Sequence, residues 1–143
     1  GYEAPVNIAW SASNRTALVR VPASRGKGTR VEFRSPDATS NPYLLLAVVF
    51  ACGLDGIINK CEPHESVNEN IYLMTEERKK ELNIRQLPQN LQESIEALKK
   101  DSFIKGVMGE HVFSKFIQLK EQEHHSFSCS VTDWEIKKYL HLI

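Results

Sequence analysis

Residues 30–36 run Arg30-Val31-Glu32-Phe33-Arg34-Ser35-Pro36, and Asn41-Pro42 follows shortly after, ahead of an apolar run from Tyr43 to Ile58. The first run alternates charged and apolar residues, which predicts a strand with its charges on one face and Val31 and Phe33 packed on a core. Asn41-Pro42 combines a capping side chain with a proline suited to the first helical position. The run after it is apolar almost all round, which predicts a buried helix.

The same change from strand to helix divides the whole chain. Short strands separated by turn residues are predicted at Val6–Ser11 and Ala17–Pro22. After the apolar helix and a polar loop, helical patterns are predicted at Thr75–Glu81, Leu87–Lys100, Ser102–Met108, Glu110–Ser126 and Thr132–Leu142. Short antiparallel strands followed by helices predict an α+β fold. We therefore expect a strand-rich segment, residues 1–36, and a helical segment, residues 41–143.

The composition argues against several classes of protein. The 143 residues include 18 Lys+Arg and 18 Asp+Glu, so the formal net charge is zero, which argues against a globally basic nucleic-acid binder. The three cysteines are widely spaced and fit neither a disulfide framework nor a zinc site. The longest apolar run, from Tyr43 to Gly53, is shorter than the roughly 20 residues that span a bilayer. We therefore expect a cytoplasmic protein with no nucleic-acid and no membrane partner.

Positive charge is concentrated near the start of the sequence. Residues 1–35 hold six basic side chains and only two acidic ones. They are Arg15, Arg20, Arg25, Lys27, Arg30 and Arg34, with Glu3 and Glu32. Arginine grips carboxylate and phosphate oxygens through two-point contacts that lysine does not make. One alternative is a solvated strand face paired with the acidic remainder, but five arginines beside two acids favour an anionic ligand.

Three local features are candidates for chemistry. Glu32 lies between two arginines, and it is either a ligand for a hard cation such as Mg²⁺ or a charge that balances the arginines. Glu3 precedes a proline-stiffened turn, and it is either a positioned base or an ordinary surface glutamate. The loop Ser24–Gly28 suits a phosphate, although it lacks the Walker A spacing. The histidines show no metal-binding spacing.

Ten runs of the sequence carry a resemblance to a known family. They are Gly1-Tyr2-Glu3-Ala4-Pro5, Asn14-Arg15, Leu18-Val19-Arg20-Val21-Pro22, Arg30-Val31-Glu32-Phe33-Arg34, Pro36-Asp37, Asn41-Pro42-Tyr43-Leu44, Gly53-Leu54-Asp55-Gly56-Ile57-Ile58-Asn59-Lys60, Asn70-Ile71-Tyr72, Gly109-Glu110-His111-Val112-Phe113 and Trp134-Glu135. In this order they resemble the C-terminal part of the catalytic domain of a type I (bacterial) glutamine synthetase. No single run decides the match, but the ordered set is specific and covers essentially the whole chain.

The resemblance implies an ATP-dependent ligase that makes glutamine from glutamate and ammonium through a γ-glutamyl phosphate, with Mg²⁺ or Mn²⁺ as cofactor. It also implies a role for each matching residue. Glu3 and Arg15 are catalytic and contact glutamate, Arg15, Arg20, Lys27 and Arg30 bind ATP, Arg34 binds glutamate, and Glu32 binds the metal. The loop before Arg30 is one residue shorter than in the family, which affects the assignment of Lys27 most. Such roles agree with the positive charge that phosphoryl transfer needs.

The resemblance further implies a homo-oligomer, a ring dodecamer, whose sites form between neighbouring subunits. In the family the other metal ligands and the N-terminal domain lie upstream of Gly1, so we expect this piece alone to be inactive. Three alternatives stay open: a related γ-glutamyl-amine ligase of the same fold, a non-catalytic module that binds an anion or nucleic acid, and a degenerate regulatory homologue.

Overall fold

A computed structural model describes residues 4–142. The chain forms two compact units, Gly1–Leu87 and Pro88–Ile143. Within the first unit lie helices α1 (Pro42–Ile58) and α2 (Glu76–Glu81) and all the strands found in residues 4–142. The second unit contains helices α3 (Leu91–Lys99), α4 (Ser102–Met108), α5 (Glu110–Ser128) and α6 (Asp133–Tyr139). The predicted α+β class is therefore confirmed, with short strands first and mainly helices after them.

The strands are each two residues long: β1 (Asn7–Ile8), β2 (Trp10–Ser11), β3 (Val19–Arg20), β4 (Glu32–Phe33) and β5 (Arg85–Gln86). β1 pairs antiparallel with β5, and β3 pairs antiparallel with β4. β2 and β3 pair parallel, however, which differs from the expected antiparallel arrangement. The reason is that residues 12–18 do not form a tight hairpin, since side chains in this connection hydrogen-bond to a distant segment.

The core of the first unit is small and joins residues far apart in sequence. Ala17 and Ile71 are fully buried and pack with Val67. Ala9, Met74 and Ile84 cover this cluster from its edges. Val31 and Phe33, by contrast, are 67% and 44% exposed, so the expectation that they face a core is wrong. Alternation along a strand assigns residues to faces, but a face is buried only where another element covers it.

Helix α1 begins as predicted but is not buried. The Asn41 side chain accepts hydrogen bonds from the backbone N–H groups of Tyr43 and Leu44, and Pro42 is the first helical residue. None of the helix residues is buried, and Phe50 and Ile57 are 65% and 74% exposed. The expectation of a buried helix is therefore wrong for this chain: part of the apolar surface of the helix is half-buried and the rest is exposed. Cys52, expected in a core, is likewise exposed.

In the second unit, α3, α4 and α5 pack around a core of Ile95, Phe113 and Ile117. Thr132 and Glu135 form a capping box at the start of α6, where each side chain hydrogen-bonds the backbone N–H of the other. The predicted helices are thus present with end shifts of a few residues. Among the residues described, no helix is long and apolar enough to cross a membrane.

Candidate functional site

Glu32 lies at the centre of the predicted arginine cluster. The antiparallel register places it opposite Arg20 on β3. Arg20 donates from Nε to Oε2 at 2.7 Å and from Nη2 to Oε1 at 3.1 Å, which is a two-point guanidinium–carboxylate contact. Arg30 approaches the same Oε1 with Nε at 2.8 Å and Nη2 at 2.6 Å. One carboxylate therefore holds two guanidinium groups on one face of the β3–β4 pair.

The electrostatics of this trio follow from the contacts. The hydrogen bond from Arg20 lowers the pKa of Glu32, burial acts in the opposite direction, and Arg30 lowers the pKa further. Glu32 is accordingly charged at neutral pH. The side chains of Arg20 and Glu32 are 21% and 26% exposed, whereas that of Arg30 is 49% exposed. Arg30 is thus the partner that solvent and ligands reach more easily.

Arg34 contacts the backbone of a neighbouring turn. Its Nη1 donates to the carbonyl oxygen of Arg15 and, at 3.4 Å, to that of Ala17. Its backbone N–H donates to the carbonyl of Leu18 at 3.0 Å, which extends the β3–β4 pairing. The Arg34 guanidinium therefore braces the turn that carries Arg15. Its five N–H donors leave capacity for a further anion beyond these two carbonyls.

Arg15 and Lys27 are the two unpaired cations of the cluster within residues 4–142. Both side chains are exposed, and neither makes a hydrogen bond or ion pair with another described residue. Lys27 lies in a single 3-10 turn, Gly26–Gly28, which begins with Gly26 at a φ of 66°. Arg25 shapes this loop by donating from Nη1 to the carbonyl oxygens of Pro22 and Ser24 at 2.7 and 3.0 Å.

The catalytic-domain model of glutamine synthetase matches residues 1–139. The chain belongs to the glutamine synthetase catalytic-domain family. It is 56% identical over 142 residues to a glutamine synthetase of Thermotoga maritima and 52% identical over 142 residues to one of Methanococcus voltae. These alignments cover 99% of this chain and 32% of each relative. The chain therefore spans about a third of the length of these relatives.

Two solved structures share the fold of this chain. A structure described as apo GmaS without ligand superposes with a TM-score of 0.80 at 31% identity, covering 96% of this chain and 30% of that one. A cryo-EM structure of Plasmodium falciparum glutamine synthetase superposes with a TM-score of 0.75 at 23% identity, covering 97% of this chain and 35% of that one. The second likeness shows the fold alone.

The structure brings five of the seven expected site residues into two groups. Arg20, Arg30 and Glu32 form one group, and Arg34 forms the other with the turn that carries Arg15. Lys27 lies on the loop between β3 and β4, without a described contact to either group. Glu3, predicted as catalytic and glutamate-binding, lies outside the described residues.

A second group of polar residues was not anticipated from the sequence. Ser11, Asn14 and Thr16 hydrogen-bond to residues 67–71, more than 50 positions away. The available signal was the pairing of Asn14 with the predicted Arg15, since asparagine in a turn often bonds nearby backbone. Local sequence does not reveal so distant a partner, and this group therefore emerged only from the fold.

Metal-binding capacity within residues 4–142 is limited to single side chains. No cluster of three or more histidine, cysteine, aspartate or glutamate residues is found there. Glu32 is the only acidic side chain between residues 4 and 35, and both of its oxygens accept from guanidinium groups. Its carboxylate suits a hard cation, but it is one ligand where Mg²⁺ takes about six.

Proposed function

We propose that this chain forms part of an ATP-dependent glutamate–ammonia ligase, a glutamine synthetase, that makes glutamine through a γ-glutamyl phosphate. The observation that carries the proposal is the cationic surface built by the Arg15 turn, β3, the Lys27 loop and β4. It carries six basic side chains, and Glu32, the one acidic side chain among residues 4–35, contacts two of them, Arg20 and Arg30. Family membership supports the same conclusion. The segment, residues 1–143, serves as the C-terminal portion of a longer catalytic domain.

The proposed roles follow the chemistry of the side chains. Arg15, Arg20, Lys27 and Arg30 bind the phosphates of ATP, and Arg15 also contacts glutamate. Phosphoryl transfer spreads negative charge over several oxygens, so a fork of N–H donors in fixed positions lowers the barrier. Arg20 is already held in one orientation by its two-point contact. The side chain of Arg15 is exposed and makes no hydrogen bond to another described residue, so all of its donors are available to a ligand.

Two residues complete the proposed chemistry on the substrate side. Arg34 binds glutamate with the guanidinium capacity left after its contacts to the Arg15 turn. Glu3 accepts a proton from ammonium, so that ammonia attacks the acyl phosphate. Water must be excluded at this stage, because an acyl phosphate also hydrolyses.

Glu32 is the residue of this chain that would hold Mg²⁺ or Mn²⁺. A bound cation supplies Lewis-acid stabilisation of charge on the phosphoryl oxygens. Because residues 4–142 offer no further clustered ligands, the remaining ligands come from outside this part of the chain. The isolated chain is therefore expected to be inactive. We also propose a cytoplasmic homo-oligomer, a ring dodecamer, in which neighbouring subunits complete each site.

A chimera tests the function with the sequence in hand. In the Thermotoga maritima relative, the 142 aligned residues are replaced by this chain, which is 56% identical to them. Phosphate release from ATP is measured with Mg²⁺, glutamate and either ammonium or a panel of amines. We expect ammonium-dependent turnover, a loss of at least about 100-fold on Glu3→Ala or Arg20→Ala, and no turnover by the isolated chain.

Arg78→Gln is the matched control, since Arg78 pairs with Glu69 and Glu81 and not with the cluster. This variant should retain the activity of the chimera. Turnover with another amine alone would assign the chain to the γ-glutamyl-amine ligases. If no amine supports turnover while the unmodified Thermotoga maritima protein is active, the catalytic proposal fails and the cluster is a binding surface.

A further inference from the structure

We propose that Asn14 is a positioning residue for Arg15, and that it acts by clamping the Arg15 turn to residues 67–71. The inference rests on the proposed function, because it concerns the geometry of an arginine that contacts ATP and glutamate there. None of the predicted roles includes Asn14. Its side chain connects the turn to a segment more than 50 residues away.

The Asn14 amide uses all of its hydrogen-bonding capacity. Nδ2 donates to the carbonyl oxygens of Val67 at 3.0 Å and Glu69 at 2.6 Å. Oδ1 accepts from the backbone N–H of Thr16 at 2.9 Å and from its hydroxyl at 2.7 Å. Two donors facing two carbonyls and one oxygen facing two donors fix the orientation of the amide. A flipped amide would lose all four bonds.

Neighbouring side chains strengthen the same connection. The Thr16 hydroxyl accepts from the backbone N–H of Ile71 at 3.1 Å. Ser11 donates from Oγ to Oδ1 of Asn68 at 2.8 Å and accepts from the backbone N–H of Asn14 at 3.3 Å. Ala17, directly after Thr16, is buried against Ile71. The turn is thus attached to residues 67–71 by polar and apolar contacts together.

Arg15 is therefore held by its backbone and not by its side chain. The clamp grips the residues before and after it, and Arg34 donates to its carbonyl oxygen. The exposed guanidinium has no polar partner among residues 4–142. An arginine on a fixed backbone loses less conformational entropy when it binds a phosphate than an arginine on a mobile turn does. Displacements of about 1 Å in such a group lower rates by up to about 100-fold.

Asn14→Asp is the sharpest perturbation. Aspartate has almost the same shape and still accepts from Thr16, but it replaces both donors with acceptors that face two carbonyl oxygens. In the chimera we expect kcat/KM to fall about 10- to 100-fold, with raised KM for ATP and glutamate and an unchanged KM for ammonium. A general loss of folded protein would lower the active concentration and leave every KM unchanged.

A double-mutant cycle tests whether Asn14 acts through Arg15. In a protein that already carries Arg15→Ala, Asn14→Asp should lower kcat/KM by less than about twofold, because the group that Asn14 positions is then absent. Asn59→Asp is the control: it makes the same chemical change at a hydrogen-bonding asparagine of the same unit, and kinetics should not change. The proposal would be overturned if the fold-loss of kcat/KM in the double variant equalled the product of the losses in the two single variants.

The failure of this inference is distinguishable from that of the proposed function. If the chimera does not turn over, the proposed function fails, and the cycle is measured instead on the dissociation constant of ATP by calorimetry. Non-additive losses of ATP affinity in that cycle would still support the positioning of Arg15 for an anion. Additive losses, or unchanged ATP binding by Asn14→Asp, would refute it. Amide exchange at Thr16 and Ile71 should quicken in Asn14→Asp, and unchanged exchange would refute the clamp.

Discussion

Ile71 is the side chain whose truncation should weaken the first unit most. It is fully buried against Ala17 and Val67, with Met74 and Ile84 at the edges of the cluster. Ile71→Ala removes three carbons at about 0.8 kcal/mol each, or about 2.4 kcal/mol of transfer free energy. The residual cavity adds to this, so we expect a loss of about 3–4 kcal/mol in the free energy of unfolding.

Ile71→Val provides a graded companion to this change. It removes a single methylene group, for which we expect a loss of about 1 kcal/mol. Val31→Ala is the surface control, because Val31 is 67% exposed in the same unit. It should alter the free energy of unfolding by less than about 0.5 kcal/mol. The loss in the free energy of unfolding should be largest for Ile71→Ala, smaller for Ile71→Val and smallest for Val31→Ala. This ranking shows that burial causes the loss, because a unit that is sensitive to any substitution would not produce it.

The two tryptophans allow each unit to be followed separately. Trp10 lies on β2 in the first unit and donates from its indole N–H to the carbonyl oxygen of His64. Trp134 lies on α6 in the second unit and is 61% exposed. In a Trp134→Phe background, Trp10 fluorescence in urea therefore reports on the first unit. Equal losses for the two Ile71 variants, or a loss below about 1 kcal/mol for alanine, would refute the reasoning.

Three further perturbations have defined outcomes. The pKa of Glu32 is below its ordinary 4.5 in the folded chain, so the stability that this carboxylate contributes is present above pH 4.5 and is lost as the pH falls below that value. In Glu32→Gln, the urea concentration at the midpoint of unfolding should therefore fall less steeply with decreasing pH in the acid range. An unchanged steepness would contradict this. Thr132→Ala should destabilise α6 by about 1 kcal/mol through loss of the capping box, measured by amide exchange at residues 133–139. α1 exposes Phe50 and Ile57, so we expect the isolated chain to self-associate through this apolar face. Phe50→Glu should weaken that self-association in sedimentation experiments, whereas Lys60→Glu should not.

Helix positions were predictable because their signals are local. Asn41-Pro42 and the Thr132–Glu135 pair specify helix starts through contacts within one turn, and both are present in the structure. The Ser102–Met108 helix was predicted with its observed ends. β5 was missed because Arg85–Gln86 is polar and becomes a strand only through pairing with β1. Burial of α1 was mispredicted because apolar composition does not specify which surface covers a helix.

The features of the site that depend on local sequence were predictable, and those that depend on tertiary contacts were not. Charge counting located the arginines, and the alternation of residues 30–34 placed Arg30 and Glu32 on a shared face, as their contact shows. The sequence left open whether Glu32 balances arginines or binds a cation. In the described residues it balances two guanidiniums, and cation binding remains a proposal. Asn14 was not identified, because its partners are fixed by tertiary structure.

The bridges between the Arg15 turn and residues 67–71 also determine when this unit closes during folding. They join positions 53 to 57 residues apart, so the turn cannot take its final form until residue 71 is available to it. Contacts of such long sequence separation slow folding. Closure entropy rises only logarithmically, and doubling the intervening length costs about 0.6 kcal/mol. An insertion in the loops between the two anchors should therefore affect the folding rate more than the stability.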